Sequence, residues 1–151
     1  MNVQIDEKDR RILEVLLENS DLSIQKISKK TGIPITTVHN RIKRLKKNGV
    51  IRNYTVNLDY HKLGKNILAF VLVHVDQKSM ADTGLTHNEV LRAFRKNRAV
   101  EEASLITGTA DLLLKVRFDD LDQLTDFVVK DMRGKDTFVS GSQTLIVLRS
   151  L

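Results

Sequence analysis

Pro34 is the only proline in this 151-residue chain, and it stands two positions after Gly32, between two short stretches of helical periodicity. Glycine supplies the left-handed conformation that closes a helix, and proline has no N–H to lose where the next helix begins. Ser23 is a good N-cap for the first stretch, whose apolar residues are Ile24 and Ile27. In the second, Ile35, Val38, Ile42 and Leu45 recur at three- and four-residue steps and are expected to form one narrow buried face. An earlier helix is expected from Asp6 as N-cap, with Asp9 completing a reciprocal cap and Ile12, Leu13, Leu16 and Leu17 as the buried stripe. Two helices turning this tightly after a third form a helix-turn-helix unit.

Charge gives that unit a partner class. Between Asp21 and Asp59 there is no acidic residue, while Lys26, Lys29, Lys30, Arg41, Lys43, Arg44, Lys46, Lys47 and Arg52 are basic. Residues 1–65 hold 14 Lys/Arg against 7 Asp/Glu, whereas residues 66–151 hold 11 against 12. An ordinary solvated face mixes signs, so this segregation favours a polyanion-binding domain over a plain amphipathic helix. The outward residues of the second helix of the motif are also sorted by chemistry. Thr36, Thr37, His39 and Asn40 come first and suit base edges and thymine methyls; Lys43, Arg44 and Lys47 follow and suit phosphates, with Arg41 fit for either task. Ser23 and Arg52 complete the DNA-contacting set expected of the domain.

After Gly49, residues 50–58 read as a strand, and residues 60–64 as a turn that places a domain boundary near Gly64. The remainder, 65–151, carries strands at 67–75, 100–107, 111–118 and 143–149. Residues 80–85 read as a loop. Thr86 and Glu89 form a capping box for a helix reaching about Asn97, with Val90, Leu91 and Phe94 buried. Asp119 or Asp120 caps another helix with Leu121, Leu124, Phe127, Val128 and Met132 inward, ending at Gly134. The order β-α-β-β-α-β is the split βαβ of ferredoxin-like folds, so the fold class is α+β. Its first and last strands are apolar on both faces, which calls for a second cover over the sheet. Another copy of the same sheet provides it, giving a homodimer whose two recognition helices suit half-sites about 34 Å apart on DNA.

Other function classes find little support. There is no cysteine, so no disulfide framework or thiol chemistry is available. His39, His61, His74 and His87 have no metal-ligand spacing, no Gly-rich phosphate loop appears, and Asp111 is a lone acid without a base or nucleophile nearby in sequence. No catalytic residue, metal or cofactor is therefore expected. The N-terminus has acids where a signal peptide is basic, and the longest apolar run, Ile67 to Val73, is seven residues against the roughly 20 needed to span a bilayer. A cytoplasmic protein without membrane contact is expected.

Asp6 to Leu13, Val38 to Leu45 with Arg41 and Arg44, Gly49 to Tyr54, Leu63-Gly64, Thr107-Gly108, Asp111 to Val116 and Thr144 to Leu148 together resemble the Lrp/AsnC (feast/famine) family of transcription regulators. The resemblance spans nearly the whole chain in order. It implies dimers that assemble further into octamers, and a C-terminal domain that binds an amino-acid effector in a cleft between dimers. By the same resemblance the effector loop maps onto Thr107, Gly108, Thr109, Ala110 and Asp111, with backbone around Gly108 for a carboxylate and Asp111 for an ammonium. Ser140 and Ser142 map onto the second effector-contacting segment, where a two-residue spacing puts them on one side of a strand. Ala110 departs from the family's aromatic at that place, and Gly108 and Asp111 also read as ordinary hairpin residues. An architectural protein that coats DNA without an effector is the alternative function.

Overall fold

The computed structural model describes residues 4–132 and 138–149. The chain divides into two compact units, Met1–Leu58 and Asp59–Leu151.

The first unit contains α1 (Glu7–Glu18), α2 (Ile24–Thr31) and α3 (Ile35–Lys47). At the start of α1, Asp6 Oδ1 accepts the Asp9 N–H at 2.9 Å and Asp9 Oδ2 accepts the Asp6 N–H at 3.2 Å. This reciprocal cap satisfies donors that a helix end leaves unpaired. Ser23 caps α2, Gly32 closes it at φ 67°, and Pro34 is the N-cap residue just ahead of α3. Ile12, Leu16, Ile27, Ile33, Val38 and Ile42 form the core. The turn between α2 and α3 is stitched by Thr31, whose buried hydroxyl donates to the Ile27 carbonyl at 2.8 Å and accepts the Ile33 N–H at 3.3 Å.

Two residues expected in this core lie outside it: Leu17 is 86% exposed and Ile35 51%. Both sit at the edge of a stripe whose period they obey, and neither joins the core; Val15 and Ile33 pack on it instead. The strand expected over residues 50–58 does not form. A strand exists only as part of a ladder, and no described residue pairs with this segment.

The second unit opens with a 3₁₀ turn, His61–Leu63, closed by Gly64 at φ 75°. Arg117 lies 3.7 Å from the Tyr60 ring centre, and Lys65 pairs with Asp119 at 2.8 Å, so the residues after Leu58 belong with this unit. Four strands follow, β1 (Ile67–Val75), β2 (Val100–Leu105), β3 (Leu112–Phe118) and β4 (Val139–Ile146), ordered β2-β3-β1-β4. All pairings are antiparallel. The helices are α4 (Gln77–Thr83), α5 (His87–Phe94) and α6 (Leu121–Asp126), the last widening into a π-helical turn over Phe127–Asp131. Apart from α4, this is the expected ferredoxin-like βαββαβ order. Ala69, Val71, Val73 and Val75 of β1 and Leu112, Leu114, Val116 and Phe118 of β3 share one core with Val90, Leu124, Phe127 and Met132. The helices thus cover one face of the sheet. On the other face lie Leu68, Phe70, Leu72 and Leu113, half-buried, and Leu145, 45% exposed.

Several boundaries differ from expectation. Residues 77–83 form α4 rather than a loop from 80, because Asp76 caps them by accepting the Lys78 N–H at 3.0 Å and only Met80 is buried, too little for a visible period. Leu121 is 54% exposed rather than inward, being at the first position of α6. The expected helix end at Gly134 lies outside the described residues. β4 starts at Val139, not Gln143, and ends at Ile146, with Leu148 97% exposed. No helix among the described residues is long and apolar enough to cross a membrane.

Candidate nucleic-acid interface and effector loop

On α3 the buried side is Val38, Ile42 and Leu45. The helical repeat then puts Thr36, Asn40, Lys43 and Lys47 on the opposite, exposed side. Ile35 and His39 occupy one flank, beside Ile24 and Gln25 of α2. Thr37, Arg41 and Arg44 occupy the other, toward α1. The expected order of chemistry along the outward face is present, with hydrogen-bonding side chains first and lysines after. Lys43 and Lys47 form no ion pair among the described residues. Ser23 spends its hydroxyl oxygen on the Lys26 N–H at 3.3 Å and remains exposed, and Arg52 is exposed in the segment after α3.

Arg41 and Arg44 are placed differently from the lysines. Arg41 Nη1 donates to Asp6 Oδ1 at 2.6 Å, Asp6 Oδ2 at 2.7 Å and Asp9 Oδ1 at 2.9 Å. Arg44 Nη2 donates to Asp9 Oδ2. Asp9 is fully buried, yet its oxygens meet two guanidinium groups and the Asp6 N–H, so the charge is compensated on every side. The Arg41 hydrogen bond and the Asp9 N–H hold the Asp6 carboxyl at about 2, well below its ordinary 3.8. Asp6 and Asp9 in turn raise the Arg41 guanidinium above its usual value. The two caps of α1 therefore double as a clamp on α3. Reading Asp6 and Asp9 as caps alone misses this. The signal is present in the sequence as acids three apart on one helix and arginines three apart on another. Elsewhere in the basic window, Lys46 stacks on the Tyr54 ring at 4.5 Å and Lys30 reaches Glu18 at 3.4 Å.

In the second unit, Thr107, Gly108 and Thr109 form the exposed tip between β2 and β3, with Gly108 at φ 126°, where a side chain would be strained. Ala110 is buried. Asp111 is anchored three ways: its carbonyl accepts the Ile106 N–H at 2.9 Å, its N–H donates to the Val73 carbonyl at 3.0 Å, and its Oδ2 accepts the Val75 N–H at 2.8 Å. Ser140 Oγ donates to the His74 carbonyl at 3.2 Å. Asp111 and Ser140 therefore meet at adjacent residues of the C-terminal end of β1. The pairing steps from His74↔Gly141 to Val75↔Val139, so Ser140 is the extra residue of a bulge. The plain two-residue alternation between Ser140 and half-buried Ser142 is interrupted there. No cluster of three His, Cys, Asp or Glu among the described residues could hold a metal.

Residues 5–52 match the model for a winged helix-turn-helix DNA-binding domain, and residues 68–151 match the Lrp/AsnC ligand-binding domain. An uncharacterized HTH-type transcriptional regulator of Pyrococcus horikoshii, PH1916, is 41% identical over 129 residues, 85% of this chain and 83% of that one. The HTH-type transcriptional regulator FL11 of Pyrococcus abyssi is 35% identical over 150 residues, 99% of this chain and 93% of its own. Among solved structures, the transcriptional regulator NMB0573 of Neisseria meningitidis in complex with L-methionine superposes with a TM-score of 0.85 at 25% identity, covering 98% of this chain and 92% of that one.

Proposed function

The chain belongs to the Lrp/AsnC family of HTH-type transcriptional regulators, and on that premise we propose that it is a homodimeric, sequence-specific DNA-binding regulator whose action is tuned by an amino acid. As a family member it is a DNA-binding regulator with a ligand-binding domain and not an enzyme.

The observation that carries the reading is the outward face of α3, where Thr36 and Asn40 stand free ahead of the unpaired cations Lys43 and Lys47. Thr36, Thr37, His39 and Asn40 read base edges. Lys43 and Lys47 touch phosphate, as do Ser23 and Arg52. Arg41 and Arg44 spend their charge on Asp6 and Asp9 and orient the helix. Two surfaces support dimers. One is the apolar strip Leu68, Phe70, Leu72, Leu113 and Leu145 on the uncovered face of the sheet. The other is the unpaired segment 50–58, with Val56 74% and Tyr54 45% exposed, which a second copy would pair. Dimers assemble further, as far as octamers, and the effector sits where they meet. Thr107, Gly108, Thr109, Ala110 and Asp111 of the loop and Ser140 and Ser142 of β4 are its proposed contacts, and the protein acts in the cytoplasm. The methionine complex of the Neisseria protein supports an amino acid as the effector class.

Enrichment of random duplex DNA on the protein tests the proposal. A preferred sequence built of two half-sites about 34 Å apart is the expected outcome. Recovery of unenriched sequence would favour the architectural alternative, in which the protein coats DNA through phosphates alone.

A further inference from the structure

Ile35 obeys the apolar period of α3 yet is 51% exposed. It is the first residue of the helix, and with Ile24 and Gln25 of α2 and Thr36, His39 and Asn40 of α3 it lines an open concavity of about 460 Å³. A single exposed isoleucine needs no explanation by itself. This one is surrounded by hydrogen-bonding side chains, has no acid in its lining, and lies on the helix that carries the unpaired Lys43 and Lys47. The charge beside the concavity suits a polyanion. In the major groove of duplex DNA the thymine C5-methyl group is the apolar feature of the base-pair code, and cytosine, adenine and guanine show polar edges instead.

We infer that Ile35 is a specificity-determining residue that packs on a thymine C5-methyl group in the major groove, at the concavity between the starts of α2 and α3. The inference rests on the DNA-binding reading above and adds a base preference to it. Thymine buries the isoleucine side chain against its methyl. Cytosine at the same place leaves a gap, and a purine sets its N7 acceptor against an apolar group that cannot donate to it. Thr36, next to Ile35, carries a second methyl at the concavity, and one variant of each residue separates the two.

The experiment uses a duplex enriched from a random pool on the wild-type protein, with each thymine replaced in turn by deoxyuridine, which removes the C5-methyl and nothing else. Affinities are read by fluorescence anisotropy for the wild type, Ile35→Ala and Thr36→Ser at one salt concentration. Loss of one buried methyl contact is expected to weaken wild-type binding roughly fourfold at a thymine in each half-site. Ile35→Ala, altered at an exposed position, should keep its helical circular dichroism and bind the thymine and deoxyuridine duplexes equally. Thr36→Ser should retain the wild-type discrimination. The inference is overturned if no deoxyuridine substitution weakens wild-type binding, or if Ile35→Ala still discriminates, whatever Thr36→Ser does. A pool that yields no preferred sequence removes the parent reading and this one together; a preferred sequence indifferent to its thymine methyls removes this one alone.

Discussion

Replacing Arg41 by alanine separates a clamp from a DNA contact, because the two roles predict opposite changes in two observables. The substitution deletes three hydrogen bonds, two to Asp6 and one to Asp9. Breaking a buried ion pair costs about 3–5 kcal/mol when it strands a charge. Asp9 keeps Arg44 and the Asp6 N–H, and Asp6 is half exposed, so the cost should fall below that range, at about 2–3 kcal/mol. For a unit of this size that corresponds to a fall of roughly 10–20 °C in melting temperature. The first unit is wholly helical in its ordered elements and its helices α1–α3 are longer in sum than α4–α6, so its melting is the larger part of the ellipticity change at 222 nm. The pH dependence has a defined sign. The folded state holds Asp6 at about 2 against an ordinary 3.8, so the Arg41–Asp6 part of the clamp contributes fully above 3.8 and is lost as pH falls toward 2. The gap in melting temperature between wild type and variant should thus be constant near neutrality and narrow across that acid window. DNA affinity measured against salt should keep its wild-type slope, since an arginine held by carboxylates releases no counterion from phosphate. An unchanged melting temperature together with a slope lowered by about one unit would refute the clamp and make Arg41 a phosphate contact.

The free lysines should behave in the opposite way. Lys47→Ala should leave melting unchanged and lower the salt slope by about 0.9, on specific and random duplexes alike, in anisotropy titrations; a slope equal to wild type would remove Lys47 from the interface. Asn40→Ala should cost about 1–3 kcal/mol on the preferred duplex and little on random DNA, compressing the ratio between them. For the effector, Asp111→Asn is the informative change, because its amide oxygen still accepts the Val75 N–H while the negative charge is gone. A thermal-shift screen of the twenty amino acids should find one that stabilises the wild type by about 2.7 kcal/mol at 100 times its Kd and does not stabilise the variant. Equal shifts in both proteins would exclude Asp111 as the ammonium partner.

Elements whose start is written in adjacent residues were legible from sequence. Asp6 with Asp9, Ser23, Thr86 with Glu89, and Asp120 each cap a helix through bonds spanning three residues. The ferredoxin-like order followed from the alternation of those helices with four apolar runs. Periodicity failed where it needed knowledge of the facing element. Leu17, Ile35 and Leu121 have the right spacing, but what covers each position is decided by residues far away in sequence. Residues 50–58 have strand composition but no strand partner among the described residues. α4 has a single buried side chain, and the bulge at Ser140 hid the start of β4 behind serines and a glycine. In the DNA unit, the polar-then-basic order on α3 was visible at once. Its division into paired arginines and free lysines was not, because Asp9 lies 32 and 35 residues from its two partners. The meeting of Asp111 and Ser140 at His74–Val75 is likewise a product of strand order.

Sequence-specific reading by the outward face of α3 is the claim on which the rest depends. Its most direct test is the affinity of the wild-type protein for the enriched duplex and for a scrambled duplex of equal length, at the same near-physiological salt. The account predicts a preference of at least ~10³-fold, the low end for specific DNA-binding proteins. Equal affinities with equal salt slopes would contradict it and leave a protein that binds DNA through its phosphates alone.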